Sequence, residues 1–174
     1  METKQGGRSF ILMGVTSTGK STVGAKLANQ INAKFIDGDD LHPKANIIKM
    51  SGGNPLNDED RSPWLERIRD AAFSMEKKNE TGVIVCSALK KRYRDLIREG
   101  NKNVIFIHLF GDFDLVLARM QSRAGHFMPV ELLRSQFESL ECPQKEETDV
   151  IHVNIDGSLD DVIARCMTAI HTHR

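Results

Sequence analysis

Phe10-Ile-Leu-Met13 runs directly into Gly14-Val15-Thr16-Ser17-Thr18-Gly19-Lys20-Ser21-Thr22. Four consecutive apolar residues suit a strand buried on both faces. Gly14 to Ser21 then fits the pattern G-x-x-x-x-G-K-[ST] in full, between that strand and a helix reaching from about Lys20 to Ile31. In such a turn successive backbone N–H groups form a concave anion cradle, and the helix N-terminus adds positive partial charge. Lys20 has the reach to meet β- and γ-phosphates, and the Ser21 hydroxyl can ligate Mg²⁺. Gly14 through Thr22 are therefore the candidate nucleotide-binding residues, and Ser21 is a candidate metal ligand. The pattern predicts binding of a nucleoside triphosphate. It does not choose between a kinase, a switch GTPase and a motor ATPase.

Outward from this turn, apolar runs alternate with amphipathic helical stretches, which is how βαβ units and a parallel sheet read in sequence. Strands are expected at Phe10–Met13, Lys34–Ile36, Val83–Cys86, Val104–Leu109 and Val150–Ile155, making five. Helices are expected after His42-Pro43, over Asp58 to about Lys78, from a Ser87 N-cap to Arg98, from Asp112 to about Arg123, from Pro129 through Leu140, and after a Ser158 cap. In the long helix, Trp64, Leu65, Ile68, Ala71, Ala72 and Met75 form the core-facing stripe. Trp64 reads as core rather than as a ligand-stacking ring.

The 174 residues fit a single domain, 1–174, with one substantial core. The 24 basic and 24 acidic residues cancel, so no global field favours nucleic acid or an anionic membrane. No apolar run approaches the ~20 residues that a membrane span needs, and Met1 to Arg8 lacks the apolar core of a secretory signal. The expected location is the cytoplasm. Cys86, Cys142 and Cys166 lack disulfide or zinc-ligand spacing.

The remaining polar constellations narrow the chemistry. There is no Asn-Lys-x-Asp guanine-reading stretch, and the third strand ends in Cys86-Ser87 without the acid expected of a motor ATPase. The acids instead follow the second strand, at Asp37, Asp39 and Asp40. Strand alternation would point Asp37 and Asp39 to one side, one to hold Mg²⁺ through a water and the other to orient an attacking hydroxyl. The sequence leaves open which does which. After the third strand, Lys90, Lys91 and Arg94 lie on a polar helix face, with Lys90 best placed for an anionic substrate. Arg92 and Arg98 read as solvated. Arg61 can clamp a carboxylate with bidentate geometry. Arg119 and Arg123 precede a break at Gly125, so the segment from about 119 to 140 reads as a helix–loop–helix lid whose arginines close over the triphosphate.

Several longer segments resemble one family, the small P-loop gluconate kinases. They are Met13-Gly-Val through Gly19-Lys-Ser-Thr22, Asp37-Gly-Asp-Asp-Leu-His-Pro43, Pro55-Leu-Asn-Asp-Glu-Asp-Arg61 with Pro63-Trp-Leu65, Cys86-Ser-Ala-Leu-Lys-Lys91 with Tyr93-Arg-Asp95, and Gly125-His-Phe-Met-Pro129 followed by Ser135-Gln-Phe-Glu138. The resemblance implies a three-layer α/β/α kinase fold of the nucleoside-monophosphate-kinase type with a mobile lid. It also implies a homodimer and phosphorylation of D-gluconate by ATP with Mg²⁺. It places Asp39 at the substrate hydroxyl, His42, Arg61 and Lys90 near gluconate, and Arg119 and Arg123 on the nucleotide side. Asp39, Lys20 and Arg123 are the expected catalytic groups, and Asp37 joins Ser21 as an expected metal contact. A kinase for another small hydroxy acid such as shikimate, or a nucleotide-binding regulator without catalysis, is the alternative. One position departs from the family: Ser17 stands where the loop usually has glycine, and a positive φ there would strain it by about 1 kcal/mol.

Overall fold

The computed structural model describes residues 7–122 and 130–172. Five parallel strands form one sheet in the order β2-β3-β1-β4-β5. They are β1 (Arg8–Met13), β2 (Lys34–Asp37), β3 (Thr81–Val85), β4 (Val104–Phe110) and β5 (Val150–Asn154). β1 lies at the centre, pairing Phe10 with Val83 on one side and with Ile105 on the other.

Both faces of the central strands are apolar, as full burial requires. Alternate residues serve opposite layers. Phe10, Leu12, Val83, Val85, Ile107 and Leu109 pack under α1 (Lys20–Gln30) and α7 (Leu159–Thr172). Ile11, Met13, Ile84 and Phe106 pack under α3 (Asp58–Lys77) and α4 (Lys91–Arg98). The result is three layers, α/β/α. The predicted α3 stripe is buried at Trp64, Leu65, Ile68, Ala72 and Met75. α2 (Lys44–Ser51) follows Pro43; α5 (Phe113–Ser122) and α6 (Val130–Ser139) flank the residues not described. Ser158 caps α7 as expected, its Oγ accepting from Asp161 N at 3.1 Å. Among the described residues, no helix is long and apolar enough to cross a membrane.

Two local readings are corrected. β2 ends at Asp37, and Gly38–Leu41 turns into a 3₁₀ helix, so strand alternation does not carry through to Asp39. α4 begins at Lys91 with Lys90 at its N-cap, not at Ser87. Residues 86–90 stay out of the helix because Ala88 takes a positive φ of 45° and its carbonyl accepts from Arg94 Nη1 at 2.8 Å.

Candidate active site

Ligands of open α/β sheets gather at the carboxyl ends of the strands, and here β1, β2 and β3 all end at one cleft. It measures about 350 Å³ and is lined by Thr16, Ser17, Gly19, Lys20, Ser21, Thr22, Asp39, Cys86, Ser87 and Gln136, among others. Gly14 turns the chain out of β1. A Cβ there would lie 2.5 Å from the Leu109 carbonyl, at a φ of 141°. Its own N–H donates to Ser87 O at 3.1 Å, tying the loop to the end of β3. Thr18 Oγ1 donates to Val15 O at 2.9 Å across the turn. Lys20 Nζ donates to Gly14 O and Val15 O at 2.9 and 2.8 Å. Thr16 N donates to Gln136 Oε1 at 2.6 Å. Ser17 takes φ 65°, the left-handed conformation, so the sequence departure does fall on a position suited to glycine. Its Oγ is buried and finds no partner among the described residues.

Asp39 reaches this cleft; Asp37 is not among its lining residues. Asp37 instead accepts from Asp39 N through Oδ1 at 3.0 Å and so caps the 3₁₀ turn. The turn is pressed against β3: a Cβ on Gly38 would lie 2.3 Å from Val85 O. Burial and the neighbouring Asp37 charge push the Asp39 pKa up, against the pull of His42 and Lys20. Such a carboxylate binds a proton more readily than a solvated one does. Cys86, also in the cleft wall, is buried and its thiol is pushed up to about 12, so it stays protonated.

His42 stacks on Trp64, ring centres 4.2 Å apart and planes 16° from parallel. Its Nδ1 lies 3.2 Å from Asn46 Nδ2, which also donates to Asp60 O at 2.8 Å. The carbonyl partner fixes the amide as the donor, so Nδ1 accepts and the ring proton sits on Nε2. Burial lowers the His42 pKa, Asp39 opposing, which favours this neutral form.

Arg61 and Lys90 are brought together from two helices around Tyr93. Arg61 Nη1 donates to the Tyr93 hydroxyl at 3.3 Å, and Tyr93 donates in turn to Asp58 Oδ1. Lys90 Nζ lies 3.6 Å from Asp58, and Arg92 pairs with the other Asp58 oxygen. Arg61, Lys90 and Arg92 each sit 5.6 to 5.7 Å from the Tyr93 ring centre. Three cations thus share one carboxylate, and the surplus positive charge suits an acid. The charges of Asp39 and Arg61 both act on His42, in opposite directions; His42, Arg61 and Lys90 are not among the residues lining the phosphate-loop cleft.

Residues 16–171 match the shikimate kinase family. The chain is 58% identical over 164 residues to the thermosensitive gluconokinase of Escherichia coli K12, covering 94% of this chain and 88% of that one. It is 52% identical to the thermoresistant gluconokinase of the same organism, covering 92% of each. The chain belongs to the gluconokinase family. A crystal structure of a gluconokinase from Sinorhizobium meliloti superposes with a TM-score of 0.85 at 39% identity, covering 98% of this chain and 94% of that one. A shikimate kinase from Aquifex aeolicus, 16% identical with a TM-score of 0.61, shares the fold.

In this gluconokinase-family chain some cations expected to be free are occupied. Arg94 is fully buried and grips Glu147 through Nε and Nη2 at 2.7 and 2.8 Å, while Nη1 holds Ala88 O and Leu89 O. It builds the Ser87–Lys90 stretch rather than facing a ligand. Arg98 is not solvated but bound to Asp149 and Glu147. Arg119 donates to Ile155 O and Gly157 O at 2.5 and 2.9 Å, bracing the turn after β5. Arg123 and Gly125-His-Phe-Met-Pro129 lie outside the described residues. Gln136, Ser87, Tyr93 and Asp58 carry no site role in the sequence reading. The Ser135–Glu138 segment gave a family signal for Gln136, but no spacing rule points from residue 136 to a loop at residue 16.

Proposed function

We infer that the protein transfers the γ-phosphoryl group of ATP to the primary hydroxyl of D-gluconate, giving 6-phospho-D-gluconate and ADP. The observation that carries this reading is the meeting of Lys20, Ser21 and Asp39 in one cleft, in a chain similar to a gluconokinase over 94% of its length.

The loop amides between Gly14 and Thr22 other than those of Gly14 and Thr16, which donate to Ser87 and Gln136, bind the polyphosphate together with the α1 N-terminus. Lys20 neutralises charge on the β- and γ-phosphates. Asp39 orients the substrate hydroxyl and accepts its proton as the hydroxyl oxygen bonds to the γ-phosphorus. The bond from that phosphorus to the bridging oxygen breaks, and ADP leaves. Asp37 holds the turn that carries Asp39. The neutral His42 offers an Nε2–H to a substrate hydroxyl, and Arg61 and Lys90 hold the carboxylate at the far end. The surplus cations of the cluster suit the acid end of such a substrate, and Asp39 suits its alcohol end. Mg²⁺ fits the donor set here, a serine hydroxyl with phosphate oxygens and carboxylates near by. Ser21 would hold it, with Asp39 the carboxylate in the same cleft while Asp37 caps its turn, and it would neutralise charge on the transferring phosphoryl group.

The segment from about 119 to 140 acts as a lid in this reading, pivoting where α6 is held through Leu133 and Phe137, with Arg123 supplying charge to the triphosphate as it closes. Arg119 belongs to the hinge side, through its hold on the turn after β5. The whole chain is one kinase domain, working as a cytoplasmic homodimer. A coupled ADP-release screen over gluconate, other aldonic acids and shikimate tests the activity. Release with gluconate well above the rest is the expected result; preference for shikimate would overturn the substrate.

A further inference from the structure

Gln136 on α6 accepts from Thr16 N in the phosphate loop, at 2.6 Å across 120 residues of sequence. Two features make this contact more than incidental. First, the bond sits beside the strained residue of the loop: Ser17 follows Thr16, takes φ 65° and buries an Oγ that has no partner among the described residues. Nothing in the Ser17 side chain holds that conformation, so the restraint must come from its neighbours. Second, α6 is fixed independently of the loop. Leu133 is fully buried, and Phe137 meets Phe113 edge to face with centres 5.4 Å apart. Just beyond the helix, Glu141 N donates to Leu89 O at 2.7 Å and Glu141 Oε1 accepts from Lys91 N at 3.0 Å. These bonds tie it to the stretch whose Ser87 carbonyl receives the Gly14 amide. Gln136 therefore reaches the loop from a rigid support.

We propose that Gln136 is a positioning residue for the phosphate loop, its uncharged carbonyl oxygen fixing the Thr16 amide and with it the Ser17 turn in the shape that binds polyphosphate. The neutrality of the side chain matters as much as its reach. Gln136 lines the same cleft as Lys20, Ser21 and Thr22. A glutamate would accept the same N–H with the same geometry but would set a negative charge against the triphosphate. An alanine would leave the Thr16 amide to water and release the turn.

The inference rests on a nucleotide occupying the loop, and ATP binding by the parent chain checks that premise separately. The test compares Gln136→Glu and Gln136→Ala with the parent, measuring the ATP dissociation constant, the KM for gluconate and the thermal midpoint without nucleotide. Gln136→Glu is expected to melt with the parent yet bind ATP about tenfold or more weakly, a loss of roughly 1.4 kcal/mol. Gln136→Ala is expected to lose affinity several-fold, with the KM for gluconate within about twofold in both. ATP affinity of Gln136→Glu within twofold of the parent would overturn the proposal, as would losses that merely follow a fall in the thermal midpoint. Failure of the parent to bind ATP would overturn the premise and the proposal together.

Discussion

Trp64 Nε1 donates to the Gly38 carbonyl at 2.7 Å, so a core residue of α3 holds the turn that presents Asp39. The same ring stacks on His42. One tryptophan thereby sets both the Asp39 turn and His42, the groups proposed to meet the substrate, while serving the hydrophobic layer, which makes the choice between core and ligand site too narrow for this residue. Trp64→Phe keeps an aromatic ring but leaves Gly38 O buried without its donor. It is expected to cost about 1–3 kcal/mol in urea denaturation. Turnover should fall while the ATP dissociation constant stays near that of the parent, because the phosphate loop does not depend on this bond.

Asp39→Asn separates catalysis from stability. The folded chain raises the Asp39 pKa above its ordinary value of 3.8 through burial and the Asp37 charge. The folded state therefore binds the proton more tightly than the unfolded state. That contribution to stability is fully present below the ordinary carboxylate range and is lost as pH rises through the raised value. At neutral pH the ionised carboxylate costs stability, so Asp39→Asn should denature at the same urea concentration as the parent or a higher one. Its turnover should drop by at least about a hundredfold. In the parent, turnover should fall on the acid side through a pKa above the usual aspartate range. An Asp39→Asn enzyme with near-parental turnover would contradict the assignment.

Ser17→Gly should stabilise the chain. Left-handed backbone costs a non-glycine residue roughly 1–2 kcal/mol, partly offset by the extra freedom that glycine gives the unfolded chain. The net expectation is a gain of up to about 1 kcal/mol, with ATP binding equal to or tighter than that of the parent. Denaturation curves and nucleotide titration of the two proteins check both halves.

Glu147→Gln removes the partner of a fully buried guanidinium. Breaking such a pair costs about 3–5 kcal/mol, whereas replacing both members by apolar groups of similar size costs far less. The single variant should be strongly destabilised in urea, and Arg94→Met combined with Glu147→Met should recover part of the loss. Arg94 also holds the carbonyls of Ala88 and Leu89, so the double variant should still bind gluconate less well than the parent.

The strands, the helices and the phosphate loop were legible because each is written locally: apolar runs, amphipathic periods and a glycine-lysine-serine spacing. The acids at Asp37 and Asp39 were legible as a pair but not in their separate parts. The chain leaves strand geometry at Gly38, and a two-residue alternation cannot see that. Arg94 reads from sequence as part of a polar helix face, because a helical wheel shows its face but not the Glu147 that meets it from a loop 53 residues away. Gln136 and Trp64 Nε1 act on backbone groups of distant turns, and such bonds leave no pattern in a single sequence. What the sequence lacks throughout is the third dimension of polar pairing.

Phosphorus NMR of the complete reaction, with ATP, Mg²⁺, gluconate and the parent chain, asks the decisive question in one spectrum. The expected result is a new phosphomonoester resonance, coupled to the protons of a CH₂ group, growing as the γ-phosphate of ATP declines. A spectrum in which the γ-phosphate becomes inorganic phosphate alone, or does not change, would contradict phosphoryl transfer to the primary alcohol of gluconate.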